Sequence, residues 1–102
     1  MPSLQFSIRA LQDLASIDAY TLEEWGETQA DRYLGQLQAC FTMLRENPRL
    51  GRDCGRIRPG LRRMEHGKHV VFYRLVDGGI RVSRILHQSM SPGPEHFAGN
   101  AE

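Results

Sequence analysis

Leu4, Phe6 and Ile8 alternate with Ser3, Gln5 and Ser7 at the start of the chain, the period-2 pattern of a short strand with one buried face. From Ala10 the period changes. Ala10, Leu14, Ile17 and Thr21 recur at intervals of three or four residues, flanked by Leu11, Tyr20 and Trp25, so the spacing predicts an amphipathic helix with one inward stripe. Gly26 ends it. Thr28 is placed to cap a second helix, with Asp31 adding negative charge in its first turn. The apolar stripe of that helix is Ala30, Tyr33, Leu34, Leu37, Phe41 and Leu44, and Asn47 before Pro48 stops it, because proline disfavours helical backbone in the preceding residue. A turn at Gly26 makes the two helices an antiparallel hairpin.

The second half carries β signals. Segment 48–60 holds Pro48, Gly51, Gly55, Pro59 and Gly60 among arginines, the composition of an ordered but irregular loop. Leu61–His66, His69–Val76 and Ile80–Leu86 are strand candidates, separated by Gly67-Lys68 and Asp77-Gly78-Gly79, whose glycines suit tight hairpin turns. The middle segment is apolar on both parities, as a central strand should be, whereas Ile80-Arg81-Val82-Ser83 alternates. The sum is an α+β fold: a short N-terminal strand and a two-helix antiparallel hairpin packed on an antiparallel sheet of three to four strands. Ser91-Pro92-Gly93-Pro94 should break regular structure before Glu95-His96-Phe97.

At 102 residues one domain is expected, burying roughly 65% of the surface its unfolded chain exposes. Its core should span about 4–90, with an irregular tail over 91–102. No apolar run is long enough to cross a membrane and the N-terminus lacks the order of a signal peptide, so a cytoplasmic location is expected. In a reducing compartment Cys40, on an apolar helix face, reads as core and Cys54 as a loop thiol. Neither has a second Cys or His at short ligand spacing, so no metal site is expected, and no cofactor.

Charge changes the picture. Ten of the thirteen basic residues lie between Arg49 and Arg84 with only three acids, a local charge near +7 inside a total of +1. Such clustering costs self-repulsion and points to a partner that is acidic, whether a polypeptide or a phosphate backbone. The candidates for contact are Arg52, Arg56, Arg58, Arg62, Arg63 and Arg74. Singly, each reads as a solvated surface charge whose ion pairs are worth roughly 0–1 kcal/mol. Tyr20 and Trp25 admit two readings, core cover or apolar anchors for a partner helix; core is the simpler one for Trp25, and Tyr20 is open.

Several strings, taken in order, carry a resemblance. They are Asp13-Leu14 with Ile17 and Tyr20, Trp25-Gly26 with Gln29-Ala30 and Tyr33, Asn47-Pro48 with Gly51-Arg52, Ile57-Arg58 with Gly60-Leu61-Arg62, His69-Val70-Val71-Phe72-Tyr73-Arg74, and Arg84-Ile85-Leu86-His87 with Met90. Over about residues 4–97 the chain resembles the ParE/RelE superfamily of toxins from type II toxin–antitoxin pairs, and most closely its ParE branch. The resemblance implies a RelE-like fold, a cognate ParD-like antitoxin whose C-terminal segment wraps the toxin, and inhibition of DNA gyrase without enzymatic chemistry, with an indirect DNA contact possible. Ser91 stands where that branch typically carries an acid.

The alternative is a RelE-like endoribonuclease cleaving mRNA. Attack by a 2′-hydroxyl needs a base, an acid and cations on the pentacoordinate phosphate. Arg62, Arg81 and Arg84, with Arg63, could supply charge, and His87 could exchange protons near neutral pH. Arg81 and Arg84 have opposite parity on a regular strand, so a bulge or their long stems would be needed to bring both to one phosphate. The simpler reading of His87 is a histidine that ties down the end of the last strand.

Overall fold

A computed structural model describes residues 2–98. Strand β1 (Ser3–Phe6) leads into helix α1 (Ile8–Trp25), helix α2 (Glu27–Glu46), and strands β2 (Arg52–Asp53), β3 (Leu61–His66), β4 (His69–Val76) and β5 (Gly79–His87), followed by a 3-10 turn over Pro94–Phe97. The sheet order is β1-β5-β4-β3-β2. The expected meander β3-β4-β5 is antiparallel, but β1 lies parallel to β5, pairing Ser3 with Gly79 through Phe6 with Val82. The sheet is therefore mixed and has five strands, not an antiparallel one of three or four. The extra strand is Arg52–Asp53, which the glycine- and proline-rich composition hid; it pairs antiparallel with Arg63 and Arg62.

Helix α1 starts two residues before the periodic pattern suggests, because Ser7 caps it. The Ser7 hydroxyl accepts from the Ala10 amide at 3.0 Å and donates to the Ser83 carbonyl at 2.7 Å, fixing the first turn to β5. Thr28 does not cap α2. Gly26, at φ 86°, closes α1 and opens α2 by itself, leaving no residue between the helices for a side-chain cap. Ala10, Ile17 and Thr21 of α1 and Ala30, Leu37, Cys40, Phe41 and Leu44 of α2 are buried, matching the predicted stripes.

The sheet has two unlike faces. Toward the helices point Val71, Tyr73, Ile80, Val82 and Ile85, packed with Leu37, Phe41 and Leu44. The outer face carries a second apolar cluster of Leu61, Val70, Phe72 and Leu86, and Phe97 completes it at 1% exposure. That corrects the expectation of an irregular tail: burying such a ring is worth about 1.5–3 kcal/mol, enough to hold the tail down. Residues 99–102 of that tail lie outside the described residues.

The β4–β5 ladder slips between Phe72 and Tyr73. Phe72 pairs with Arg84 and Tyr73 with Val82, leaving Ser83 as the extra residue of a bulge. The slip reverses the parity of the strand across Ser83, so Arg81 and Arg84, three residues apart, both lie on the outer face.

Candidate functional site

Beyond Phe6 the β5 edge has lost its β1 partner, and α1 supplies the substitute. Asp13 Oδ2 accepts from the Ile85 amide at 2.9 Å, while the two Asp13 oxygens take Arg84 Nε and Nη2 at 2.8 and 2.9 Å. Both side chains are about 15% exposed, the regime in which a bidentate pair is strong. Arg84 Nη1 also donates to the His96 carbonyl at 3.0 Å. The bulge that the ribonuclease reading required is present, yet Arg84 is engaged on all three nitrogens.

The other ribonuclease candidates are dispersed. Arg62 has helix-side parity, opposite Tyr73, and holds the preceding loop through the carbonyls of Gly51 and Arg49, each at 3.0 Å. His87 is exposed, pairs with His69 on the helix-side parity, and its Nδ1 contacts Ser89 Oγ at 2.8 Å. Arg81 sits on the outer face against Gln5, 3.3 Å away. The four do not converge on one point.

Of the proposed contact residues, Arg52 and Arg63 clasp Glu65 at 2.9 and 3.0 Å. Burial alone would raise the Glu65 pKa; hydrogen bonds from Arg63 and Arg52 outweigh it and leave it lowered. Arg63 also lies 5.5 Å from the centre of the Phe72 ring. Arg52, Arg56 and Arg63, with Asp53, Cys54, Gly55 and Ile57, line a shallow depression of about 580 Å³. The Cys54 thiol in it is pushed up by burial, with nearby Arg63 acting in the opposite sense. Arg58 donates to the Phe97 carbonyl at 2.8 Å, and Arg74 stands across from Leu61 on one side and Arg81 on the other.

Trp25 is not core. It is 60% exposed and Tyr20 is 63% exposed; the Lys68 ammonium, from the turn between β3 and β4, lies 6.0 Å from the Trp25 ring. Ile8, Leu11 and Leu22 of α1 are exposed too; Leu11, Leu22 and Trp25 share one flank of the helix, and Tyr20 lies on the other.

Sequence reasoning missed a ring cluster at the end of the meander. The Tyr33 hydroxyl lies 2.5 Å from His69 Nδ1 and accepts from the Lys68 amide at 3.3 Å, and the His69 ring meets His87 edge-on at 5.4 Å. Burial, then the neighbouring His87 and His66, push the His69 pKa down to about 4, against a small opposing pull from Asp13. Burial raises Tyr33 in turn. Its signal was available: Tyr33 lies on the apolar stripe of α2 and His66 and His69 flank a two-residue turn. Among the described residues no group of three or more His, Cys, Asp or Glu is placed to hold a metal ion, and no helix is long and apolar enough to cross a membrane.

The profile of the family described as ParE toxin of type II toxin-antitoxin system, parDE, matches residues 4–92. The chain belongs to the ParE toxin family. It is 43% identical to Toxin ParE1 of Caulobacter vibrioides over 93 residues, covering 89% of this chain and 94% of that protein. It is 46% identical to Toxin ParE1 of Mycobacterium tuberculosis over 71 residues, 69% of this chain and 72% of that protein. A solved chain from the chromosomal ParDE TA system from P. aeruginosa superposes with a TM-score of 0.71 at 23% identity, over 85% of this chain and 96% of that one. That likeness establishes the fold: two helices on a mixed sheet.

Proposed function

We propose that this member of the ParE family is a cytoplasmic, single-domain toxin that binds and inhibits DNA gyrase without bond-making chemistry of its own, and that a ParD-like antitoxin holds it inactive. The observation that carries the reading is the scattering of the ribonuclease candidates: Arg62 and His87 have helix-side parity, Arg81 and Arg84 lie on the outer face, and Asp13 locks Arg84. A general base with no cation beside the same phosphate gives little acceleration.

The antitoxin surface in this reading runs over the exposed positions of α1, around both of its flanks. Tyr20 and Trp25, both exposed, are residue types that dominate binding energy when a partner buries them. Arg52, Arg56, Arg58, Arg62, Arg63 and Arg74 divide between internal roles and contact. Arg58 and Arg62 grip main-chain carbonyls, so Arg52, Arg56, Arg63 and Arg74 are the side chains proposed to meet an acidic partner or gyrase-bound DNA. The test is a supercoiling assay with purified gyrase and antitoxin-free protein, run beside incubation with purified and ribosome-bound mRNA. Inhibited supercoiling with intact RNA is expected; cleaved RNA with unaffected gyrase overturns the reading.

A further inference from the structure

Helix α1 carries two stripes, and the fold covers one of them. Ala10, Leu14, Ile17 and Thr21 turn inward. About a quarter-turn round the same helix, Ile8, Leu11, Ala15, Asp18, Leu22 and Trp25 follow one another at alternating steps of three and four residues. All six are exposed, the four large apolar side chains by about half or more. Apolar side chains scattered singly over a surface need no explanation, but a continuous strip does. This one keeps the heptad spacing with which helices pack on helices, over about 25 Å of axis. It drifts by about 20° per heptad, so a helix that follows it winds round α1 in the left-handed sense.

One member of the strip is charged. Among the described residues no hydrogen bond or ion pair engages the Asp18 carboxylate. The other exposed charges of α1 are Glu23 and Glu24, and Arg9, its one basic residue, is turned to the tail carbonyls of His96 and Ala98. The exposed surface of α1 is therefore apolar and acidic, with no cation of its own. A lone polar group inside a heptad seam fixes the register of whatever packs there, because only one alignment brings its complement opposite.

We infer that this strip docks an amphipathic helix of the antitoxin, apolar at heptad spacing and carrying one lysine or arginine opposite Asp18. The inference rests on the antitoxin reading above and names the chemistry of the segment that α1 receives. That segment is opposite in charge to whatever meets Arg52, Arg56, Arg63 and Arg74. A second copy of this chain does not fit the strip. In a parallel pair of α1 helices Asp18 faces Asp18, and in a fully overlapped antiparallel pair the two carboxylates lie about one turn apart with no cation between them.

The test is fluorescence anisotropy with a labelled synthetic helix of three heptads. It has Leu at its a and d positions except for one Lys set to meet Asp18, and a counterpart has Glu in that place. The unaltered protein is expected to bind the Lys peptide about tenfold more tightly than the Glu peptide, since like charges in a seam reject a partner. Asp18→Lys is expected to reverse that order and to leave the urea midpoint unchanged, as an exposed position allows. An excess of a ParD-like antitoxin is expected to displace the Lys peptide. Equal binding of the two peptides, binding of neither, or an order that Asp18→Lys does not reverse overturns the inference, as does a dimer in sedimentation that Leu22→Lys dissolves. An antitoxin that forms its complex while the Lys peptide stays bound overturns the assignment of this strip to the antitoxin and leaves the toxin–antitoxin pairing intact. An antitoxin that forms no complex at all overturns the pairing itself.

Discussion

Asp13 faces Arg84 across the boundary between the first helix and the last strand, and the same carboxylate accepts the Ile85 amide. One side chain thus closes the sheet edge that β1 leaves open and neutralises a largely buried cation. Removing one member of such a pair leaves the other desolvated without compensation, at a cost of about 3–5 kcal/mol when burial is complete. With the pair still about 15% exposed, Asp13→Ala is expected to lower unfolding free energy by about 2–4 kcal/mol in urea titrations. Asp13→Asn, which keeps an acceptor for the Ile85 amide, should cost less. Equal stability of Asp13→Ala and the parent contradicts this role.

The loop between α2 and β2, gripped from one side by Arg62, is tied from within by a single hydroxyl. Tyr73 is fully buried; its oxygen accepts from the Gly51 amide at 2.8 Å and donates to the Pro48 carbonyl at 2.6 Å. Tyr73→Phe leaves both backbone groups without this partner and is expected to cost about 1–3 kcal/mol. Gly51→Ala acts on the same contact from the other side. A Cβ there would stand 2.5 Å from the Tyr73 oxygen and 2.8 Å from the Arg63 carbonyl, so backbone must move. The two changes share one contact, so the double variant should be less destabilised than the sum of the singles. Additive losses in thermal unfolding would show that the loop is held elsewhere.

Acid should weaken the fold through His69. Its folded pKa, near 4, lies below the ordinary value of 6.5, so between those two values the unfolded chain takes up a proton that the folded chain refuses. Stability is complete above about pH 6.5, declines as pH falls through the window, and levels off near pH 4 as far as this residue is concerned. The half-buried setting, with Asp13 opposing the shift, limits the loss to the order of 1–2 kcal/mol. Urea midpoints at pH 7 and pH 4.5 measure it. In His69→Gln the difference between the two should shrink; an unchanged difference assigns the acid sensitivity to other groups.

Much of this architecture was legible in the chain because periodicity and turn chemistry agreed. Gly67-Lys68 and Asp77-Gly78 fixed the meander, and the strands Leu61–His66 and His69–Val76 fall where the pattern placed them. What escaped was set by partners distant in sequence. The parallel course of β1 depends on a return through α1 and α2, and the two-residue β2 has no periodicity to show. Phe97 looked like tail because its pocket, Leu61, Val70, Phe72 and Leu86, exists only once the meander has formed. Trp25 misled in the opposite sense: its place at the helix end was visible, but not that its ring stays largely exposed there. For the site, charge clustering was visible whereas its division was not, since Arg58, Arg62 and Arg84 reveal their internal acceptors only in three dimensions.

The exposed position of Trp25 separates its two possible roles by experiment. A side chain 60% exposed, with a lone ammonium 6.0 Å from its ring, contributes little to folding, so Trp25→Ala should shift unfolding free energy by no more than about 0.5 kcal/mol. If α1 receives the antitoxin, the same substitution removes an exposed aromatic anchor from that contact, and affinity should fall by about thirtyfold or more, the equivalent of about 2 kcal/mol. Calorimetric titration with a ParD-like antitoxin measures the second quantity and urea unfolding the first. Tyr20→Ala, earlier on the same helix and equally exposed, should weaken the complex in the same sense. A Trp25→Ala protein that unfolds easily but binds normally would instead place the antitoxin on another face, and would make the ring part of what holds the end of α1 to the Lys68 turn.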